Sequence, residues 1–277
     1  MIIIDYNQIA IANIIGGIEC DLNENYIRHM ILNSIRGYIK KFKKAYGSKV
    51  VLACDGTNYW RRDIFPPYKA SRAKARKDSK YDWKYIHEVM SLILEELKEW
   101  SPFYIIHLDN CEGDDIIYTI ASTYQEPHII LSSDKDFVFL HSKTCKQFSP
   151  IKKKFITHKD PQKVGLELII RGDRVDGIPN ILSPDDTFIT GKRQRSIMQA
   201  KLDIWLTQKP EEFCDETTIT NFRRNDNLIN LEKIPPEIQS SILQEFSNLR
   251  PSNASRFSKY LIAKDAKILF QFVGEFF

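Results

Sequence analysis

Residues 128–136 read HIILSSDKD, a short apolar run followed by two aspartates that are two positions apart. An apolar run of this length with polar residues on its far side is typical of a buried strand. Three earlier runs, at residues 2–4, 50–53 and 103–108, are likewise followed by acids. Between the runs, helical periodicity predicts helices at about 25–45 and 83–99, and a third helix is expected to begin near Glu112.

Alternating strands and helices indicate an α/β fold with a mostly parallel, doubly wound sheet and flanking helices. In such sheets, ligands lie beyond the carboxyl ends of the strands, where the acids fall here. The acids that converge in this prediction are Asp5, Asp55, Glu112, Asp114, Asp115, Asp134, Asp136, Asp173 and Asp176. A turn or a helix cap would explain any one of them, but not the whole set.

This set of carboxylates predicts a site for divalent metal. Two ionised carboxylates about 5 Å apart repel each other by roughly 3 kcal/mol at an effective dielectric constant of about 20. A cluster of this size must therefore bind cations or become protonated. Oxygen ligands without interleaved His or Cys favour Mg²⁺ or Mn²⁺ over zinc, so a nuclease is the leading interpretation.

Residues 56–80 interrupt the pattern with the sequence GTNYWRRDIFPPYKASRAKARKDSK. This stretch contains adjacent prolines and eight basic residues from Arg61 onward, with little core periodicity. It predicts a long exposed excursion, and such loops are usually functional or disordered. Beyond it, residues 147–156 predict a hairpin with Lys152, Lys153 and Lys154 at its turn.

We expect the chain to form an α/β core over residues 1–150 and a mainly helical part over residues 151–277 that packs onto the sheet. The 277 residues are 43% hydrophobic, and the net charge is +4, unevenly distributed. Five scattered cysteines without zinc-like spacing indicate free thiols. The apolar start lacks a basic leader and carries Asp5, so we expect a cytoplasmic protein without a membrane partner, in the host cytoplasm if it is phage-encoded.

Six segments together carry a resemblance to the flap endonuclease and 5′-nuclease superfamily, and within it to the ribonuclease H group of T-even bacteriophages. In chain order they are RHMILNSI, YWRRDIFPPYKASRAKAR, DWKYIHEVM, SSDKDF, RGDRVDGIP and RRNDNLINLEKIPPEI. The resemblance implies a 5′-to-3′ exonuclease and flap endonuclease that removes RNA primers and 5′ flaps in phage-type DNA replication. It also implies that the nine acids bind two Mg²⁺ or Mn²⁺ ions, with Asp134 among the catalytic residues.

The resemblance also assigns residues to nucleic acid. Residues 56–80 match a helical arch in which Lys69 and Arg72 lie nearest the scissile phosphate. Further contacts to phosphates or bases are implied for Arg61, Arg62 and Tyr68, the last by base stacking. Lys192, Arg193 and Arg195 would grip duplex phosphates, although the family's helix-turn-helix is not recognisable there, which leaves a monovalent-cation site open. Gly177 stands where the family usually has Asn.

The partners implied are 5′-flap or nicked duplex DNA and RNA–DNA hybrid, bound by a monomer. A single-strand-binding protein and a sliding clamp are further candidates, the clamp through Gln271, Phe276 and Phe277, although docking of these aromatics on the core is the favoured interpretation. Two other functions stay open. Asp5 resembles the nucleophile of haloacid-dehalogenase-like phosphatases, but Asn7 stands where their general acid is needed. A nucleic-acid-binding module without turnover would gain nothing from the acids.

Overall fold

The computed structural model describes residues 1–16, 23–72, 76 and 78–277. A six-stranded sheet has the order β3-β2-β1-β4-β5-β6. Its strands are β1 Ile2–Asp5, β2 Val50–Cys54, β3 Tyr104–His107, β4 His128–Leu131, β5 Cys145–Ser149 and β6 Lys154–Ile156. The first five strands pair in parallel and β6 returns antiparallel to β5, so the prediction of a mostly parallel α/β sheet is confirmed.

Helices connect and flank these strands. They are α1 Tyr6–Gly16, α2 Glu24–Tyr46, α3 Arg61–Ile64, α4 Trp83–Trp100, α5 Gly113–Thr123, α6 Pro161–Arg171, α7 Gln199–Trp205, α8 Pro210–Phe213, α9 Glu216–Ile229, α10 Pro236–Asn248, α11 Ala254–Ala263 and α12 Lys267–Phe270. The predicted helices at 25–45 and 83–99 are α2 and α4. Helix α1 was not predicted, because its sequence is apolar nearly all round and shows no periodic signal.

The sheet is buried on both faces, and alternate residues of each strand enter different cores. Ile2 and Ile4 pack with α1, α2 and α4, whereas Ile3 packs with α5. The C-terminal part covers both faces, since Phe246 of α10 joins the second core and Phe257 of α11 joins the first. The C-terminal part therefore packs on both faces of the sheet.

The end of the chain docks on the core as favoured. Phe276 is 1% exposed, and its ring centroid lies 5.0 Å from that of Phe257 and 6.2 Å from that of Phe103. Glu275 binds Arg36 and Lys40 of α2 at 2.8 Å each. Phe277 stays 36% exposed.

The prediction of a long exposed excursion is wrong for its first half. Trp60, Phe65 and Tyr68 are at most 6% exposed, and Phe65 and Tyr68 pack against Ile178 and Leu228. The burial was missed because these aromatics follow no helical or strand period; they pack against partners more than 100 positions away. Residues 73–75 and 77, also part of the predicted arch, lie outside the described residues.

The hairpin prediction is confirmed, since Gln147 pairs with Ile156 across β5 and β6. The four cysteines that the structure describes, Cys54, Cys111, Cys145 and Cys214, are free thiols. Cys20 lies outside the described residues. Among the helices described, none has both the length and the apolar composition needed to cross a membrane.

Candidate metal centre

The sheet brings acids from separate segments to its carboxyl edge. Asp5 ends β1, Asp55 directly follows β2, Glu112 and Asp114 open α5, and Asp134 follows β4 by three residues. The strands carrying them are adjacent, because β1 pairs with both β2 and β4. These acids therefore lie along one edge of the sheet.

Asp5 lies at the middle of this edge. Its carboxylate accepts hydrogen bonds from the Ser132 hydroxyl (2.9 Å) and from the backbone N–H of Gln8 (3.0 Å). Burial and then the charge of Asp55 raise the pKa of Asp5 to about 7 in spite of these bonds.

Three further acids also have raised pKa values, although the charge of Lys69 or Lys135 partly offsets the shift. Burial is the largest cause for Asp114, Asp134 and Asp136. The charges of Asp134 and Asp5 also raise the pKa of Asp114. The charges of Asp134 and Asp173 also raise the pKa of Asp136. Within the described part of the chain, the buried Oδ1 atom of Asp136 has no hydrogen-bond partner. Neighbouring carboxylates with raised pKa values and an unsatisfied oxygen fit a divalent cation, which would offset the repulsion.

The described acids are not already arranged as metal ligands. No group of three His, Cys, Asp or Glu residues among residues 1–16, 23–72, 76 and 78–277 has the geometry of a metal site. Mutual repulsion between unpaired carboxylates favours such a separation when no cation lies between them. Ligation therefore stays a prediction for each acid.

Two glutamines hold the loop that carries Asp134. The Nε2 group of Gln147 donates to the carbonyl oxygens of Asp134 (2.6 Å) and Ser132 (3.0 Å). From the other side, the Oε1 atom of Gln8 accepts from the backbone N–H of Ser133 (2.6 Å). Sequence reasoning missed both glutamines; Gln147 lies in the middle of β5, whose sequence CKQFS carries no apolar pattern that would mark it as buried.

Asp173 and Asp176 lie in a tight turn after α6. Asp173 accepts from the backbone N–H of Val175 (2.7 Å) and pairs with Lys135 (3.0 Å). Gly172 and Gly177 give this turn its shape, with φ values of +69° and +76°. A Cβ atom at position 177 would lie 3.2 Å from the carbonyl oxygen of Pro67, so the Asn usual in the family would be strained here.

Three residues from the segment 56–80, which the sequence predicted to be an exposed excursion, contact Asp176. Arg72 reaches its carboxylate at 2.5 Å, the Tyr68 hydroxyl donates at 3.2 Å, and the Lys69 ammonium lies at 3.7 Å. The backbone N–H of Lys69 also donates to the carbonyl oxygen of Asp176 (2.8 Å). Lys69 and Arg72 thus lie beside Asp176; a contact with the scissile phosphate stays a prediction.

Glu112 differs from the other acids because its oxygens are already paired. It accepts from Lys69, from Arg61 (2.8 Å) and from the Tyr68 hydroxyl (2.9 Å). Burial alone would raise the pKa of Glu112, but the charges of Lys69 and Arg61 outweigh burial and lower it. A metal ion would have to displace these partners.

Asp115 lies beneath the other acids and is fully buried. It pairs with Arg61 (2.8 Å) and accepts from the Trp60 indole (3.1 Å) and from the backbone N–H of Glu112 (2.9 Å). This geometry favours a structural role over metal ligation, because every contact anchors the start of α5 to the segment around Arg61.

Two residues expected to bind nucleic acid need correction. Tyr68 is 3% exposed and Arg61 2% exposed. Tyr68 therefore presents no open ring face for base stacking, and the guanidinium of Arg61 is paired with Glu112 and Asp115 rather than free for phosphate. The cause is the burial of Trp60, Arg61, Phe65, Tyr68 and Lys69, which composition alone did not indicate.

The remaining basic residues expected at a nucleic-acid interface are on the surface. Arg62 is exposed and lies 4.9 Å from the Tyr59 ring centroid. Lys192, Arg193 and Arg195 are exposed, and the first two line a surface cavity of about 580 Å³ together with Arg174. This cavity is open to solvent, and three of its lining side chains are cationic.

The comparisons with known proteins agree with this geometry. The family described as 5′-3′ exonuclease, N-terminal resolvase-like domain, matches residues 22–167. The chain belongs to this 5′-3′ exonuclease family. A second family, described as T4 RNase H, C terminal, matches residues 164–276.

Individual proteins match this chain over more of its length than the first family does. The chain is 29% identical to the ribonuclease H of Enterobacteria phage T4, over 99% of this chain and 95% of that protein. It is 27% identical to the exonuclease of Escherichia phage T7, over 66% and 64%. The fold is similar to that of the bacteriophage T5 D15 flap endonuclease in complex with DNA and metal ions, with a TM-score of 0.61 at 15% identity, over 89% of this chain and 99% of that one.

The family makes this chain a 5′ nuclease of the 5′-3′ exonuclease type. The phosphatase and the inactive binding module are thereby set aside. Asn7, which stands where a phosphatase needs its acid, accepts from the backbone N–H of Asp55 (3.4 Å).

Proposed function

We propose that the acids at the carboxyl edge hold two Mg²⁺ or Mn²⁺ ions and that this 5′-3′ exonuclease hydrolyses phosphodiesters of 5′ flaps, nicked duplexes and RNA–DNA hybrids, including RNA primers. One observation carries the proposal. Asp5, Asp114, Asp134 and Asp136 combine burial with raised pKa values, and one oxygen of Asp136 has no partner among the described residues. Only bound cations make such a cluster stable in its ionised form.

The contacts divide the nine acids by role. Asp5, Asp55, Asp114, Asp134 and Asp136 are the candidate ligands, and Asp173 and Asp176 complete the set from the turn after α6. Glu112 and Asp115 hold Lys69 and Arg61 in place. Lewis-acid activation of water and of the scissile phosphate is the chemistry that divalent ions supply in such sites.

Lys69 and Arg72 contribute positive charge where the phosphate must lie. Both contact Asp176 in this structure, so a phosphate oxygen arriving beside Asp176 would find two cations already positioned. Charge-assisted hydrogen bonds of this kind orient a phosphodiester and offset its charge. Their proposed role is therefore to bind and orient the scissile group.

The duplex and the partners are proposed from surface features. Lys192, Arg193 and Arg195 would bind duplex phosphates. Recruitment by a sliding clamp through Gln271, Phe276 and Phe277 would require Phe276 to leave the core, so the docked C-terminus argues against that mode. Recruitment by a single-strand-binding protein, action as a monomer, a monovalent-cation site and a host-cytoplasmic setting are further proposals.

The test is Asp134→Asn, assayed on a labelled 5′-flap duplex with Mg²⁺. We expect cleavage to fall roughly 10³-fold, which corresponds to about 4 kcal/mol, because the cluster loses one ionised oxygen. Binding of the same flap in Ca²⁺ should be retained. Asp109→Asn is the matched control, since Asp109 is an exposed acid that contacts Thr57 (2.8 Å) and none of the nine acids. Cleavage by Asp134→Asn at the control's rate, or parent cleavage that persists in chelator, would contradict the proposal.

A further inference from the structure

The hairpin formed by β5 and β6 carries a dense positive charge to which no role has been given. Between positions 141 and 163 the only acid is Asp160, and the exposed lysines are Lys143, Lys146, Lys152, Lys153, Lys154, Lys159 and Lys163. None of these lysines has an ion-pair partner in the part of the chain that the structure describes. Unpaired like charges on one element repel each other, so this surface is electrostatically complementary to a polyanion.

The hairpin turn lies at the same edge of the sheet as the acids. Strand β5 runs parallel to β4, with Phe148 beside Leu131, and ends at Ser149. The hydroxyl of Ser149 lies 2.6 Å from that of Ser133, the residue before Asp134. It also accepts from the backbone N–H of Lys152 (3.0 Å). Two hydrogen bonds therefore link the lysine turn to the Asp134 loop.

The order of the strands places positive charge on both sides of the acids. Residues 60–72, with Lys69 and Arg72, follow β2, whereas the hairpin turn follows β5 on the other side of β1 and β4. Strands β1 and β5 are two strand spacings apart, about 10 Å. Successive phosphates of one duplex strand advance about 3.4 Å along the axis, so the turn lies within about three nucleotides of Asp5.

The shape of the turn also fits a contact with a chain of phosphates. Lys153 has a φ of +52°, a left-handed conformation that is uncommon for a non-glycine residue. Ile151 at the tip is 62% exposed and can contact a sugar or base. Lysines on an edge strand can serve merely to prevent pairing with another sheet. That explanation covers Lys154 in β6 but not Lys152 and Lys153, which precede the strand.

We propose that residues 151–154 form a second nucleic-acid contact, which binds the phosphate backbone of the substrate strand on the side of the acids opposite Lys69 and Arg72. The inference rests on the proposed function, because it supposes that a nucleic-acid strand crosses the acids. Nucleic acid is the occupant favoured over an acidic protein, since the turn is hydrogen-bonded to the Asp134 loop, which the substrate must reach.

The test compares two triple variants that remove the same charge. One is Lys152→Gln/Lys153→Gln/Lys154→Gln; the matched control is Lys43→Gln/Lys44→Gln/Lys49→Gln, at the end of α2 and the start of β2, on the opposite edge of the sheet. The measurement is the Kd of a fluorescent 5′-flap duplex in Ca²⁺ at several salt concentrations. We expect the hairpin variant to bind about 10-fold more weakly near 0.1 M salt, with the slope of log Kd against log salt reduced by about 2 to 3.

The control variant should stay within about twofold of the parent, and kcat of the hairpin variant at saturating flap should be nearly unchanged. Single variants Lys152→Gln and Lys153→Gln, each reducing the slope by about 1, repeat the test if the triple variant fails to fold. A hairpin variant with the control's Kd and slope would overturn the proposal, and parent cleavage of the flap would show that the proposed function survives. The proposal would also be overturned if the hairpin variant bound the flap normally but no longer bound a fluorescent hexaglutamate peptide, because the surface would then bind an acidic protein.

Discussion

Asp5 is half-buried and Glu112 is buried near the same edge of the sheet, yet their pKa values shift in opposite directions. For Asp5 burial and the charge of Asp55 raise the pKa to about 7, whereas for Glu112 the charges of Lys69 and Arg61 outweigh burial and lower it. The direction of each pKa shift therefore depends on the charged partners of the carboxylate rather than on its position in the sequence. Glu112 is paired with cationic side chains, whereas the charge that acts most strongly on Asp5 is that of another carboxylate.

The raised pKa of Asp5 makes a prediction about stability. Between about pH 4 and pH 7 the folded protein holds the proton of Asp5 and the unfolded chain does not, so this group lowers the free energy of unfolding as pH rises. In chelator, we expect Tm to fall by about 5 °C from about pH 5 to about pH 8, and Mg²⁺ to reduce that fall.

Thermal unfolding of the parent and of Asp5→Asn, with chelator and with Mg²⁺, is the measurement. Asparagine is neutral at every pH, so the variant should be the more stable protein near pH 8 in chelator and should gain less from Mg²⁺. A variant less stable than the parent under those conditions would mean that the Asp5 carboxylate is not destabilised.

The turn after α6 depends on the backbone conformation of a glycine. Gly172 has a φ of +69°, and a Cβ atom there would lie 2.4 Å from the carbonyl oxygen of Ile178. The same turn holds Asp173 in a backbone pairing with Ile178 and presents Asp176 to Arg72. Glycine is therefore needed at position 172 for the two aspartates to reach the other acids.

We predict that Gly172→Ala lowers the free energy of unfolding by at least about 2 kcal/mol, because the backbone is strained and two carbonyl groups must move. Gly37→Ala is the matched control: Gly37 lies within α2 with no atom near its Cβ position, and alanine there should stabilise by about 0.5–1 kcal/mol. Urea unfolding measures both. Equal effects of the two substitutions would show that the turn tolerates a side chain.

At the scale of the whole molecule, the C-terminal part is an integral part of the fold. Helix α10 packs on one face of the sheet, while Phe257 and Phe276 pack on the other. Since each face is closed by residues more than 200 positions from β1, the sheet and the C-terminal helices are expected to unfold together.

Phe276→Ala and Phe277→Ala test this docking as a matched pair. Phe276 is 1% exposed and Phe277 36% exposed, so we expect losses of about 3–5 kcal/mol for the first and below about 1 kcal/mol for the second. Chemical unfolding followed by circular dichroism and by tryptophan fluorescence should give coincident transitions for the parent. Separate transitions, or equal losses for the two variants, would contradict a jointly folded core.

Much of the fold could be predicted because its signals are local. The apolar runs that became β1 to β4, the periodicity of α2 and α4 and the acids that follow the strands are all readable over a few residues. Helix α1 was missed because a uniformly apolar segment has no period. The burial of Phe65 and Tyr68 was missed because their partners, Ile178 and Leu228, are remote in the chain.

The sequence by itself determined that acids would gather at the carboxyl ends of parallel strands, and it carried the resemblance that the comparisons bear out. Only the tertiary structure decided what each acid does. Glu112 and Asp115 look like Asp114 in sequence, but Arg61 and Lys69 reach them from about 50 positions earlier and pair with them. Local pattern can place a carboxylate at an edge, but its charge depends on burial and on partners that only the folded chain brings within a few ångströms.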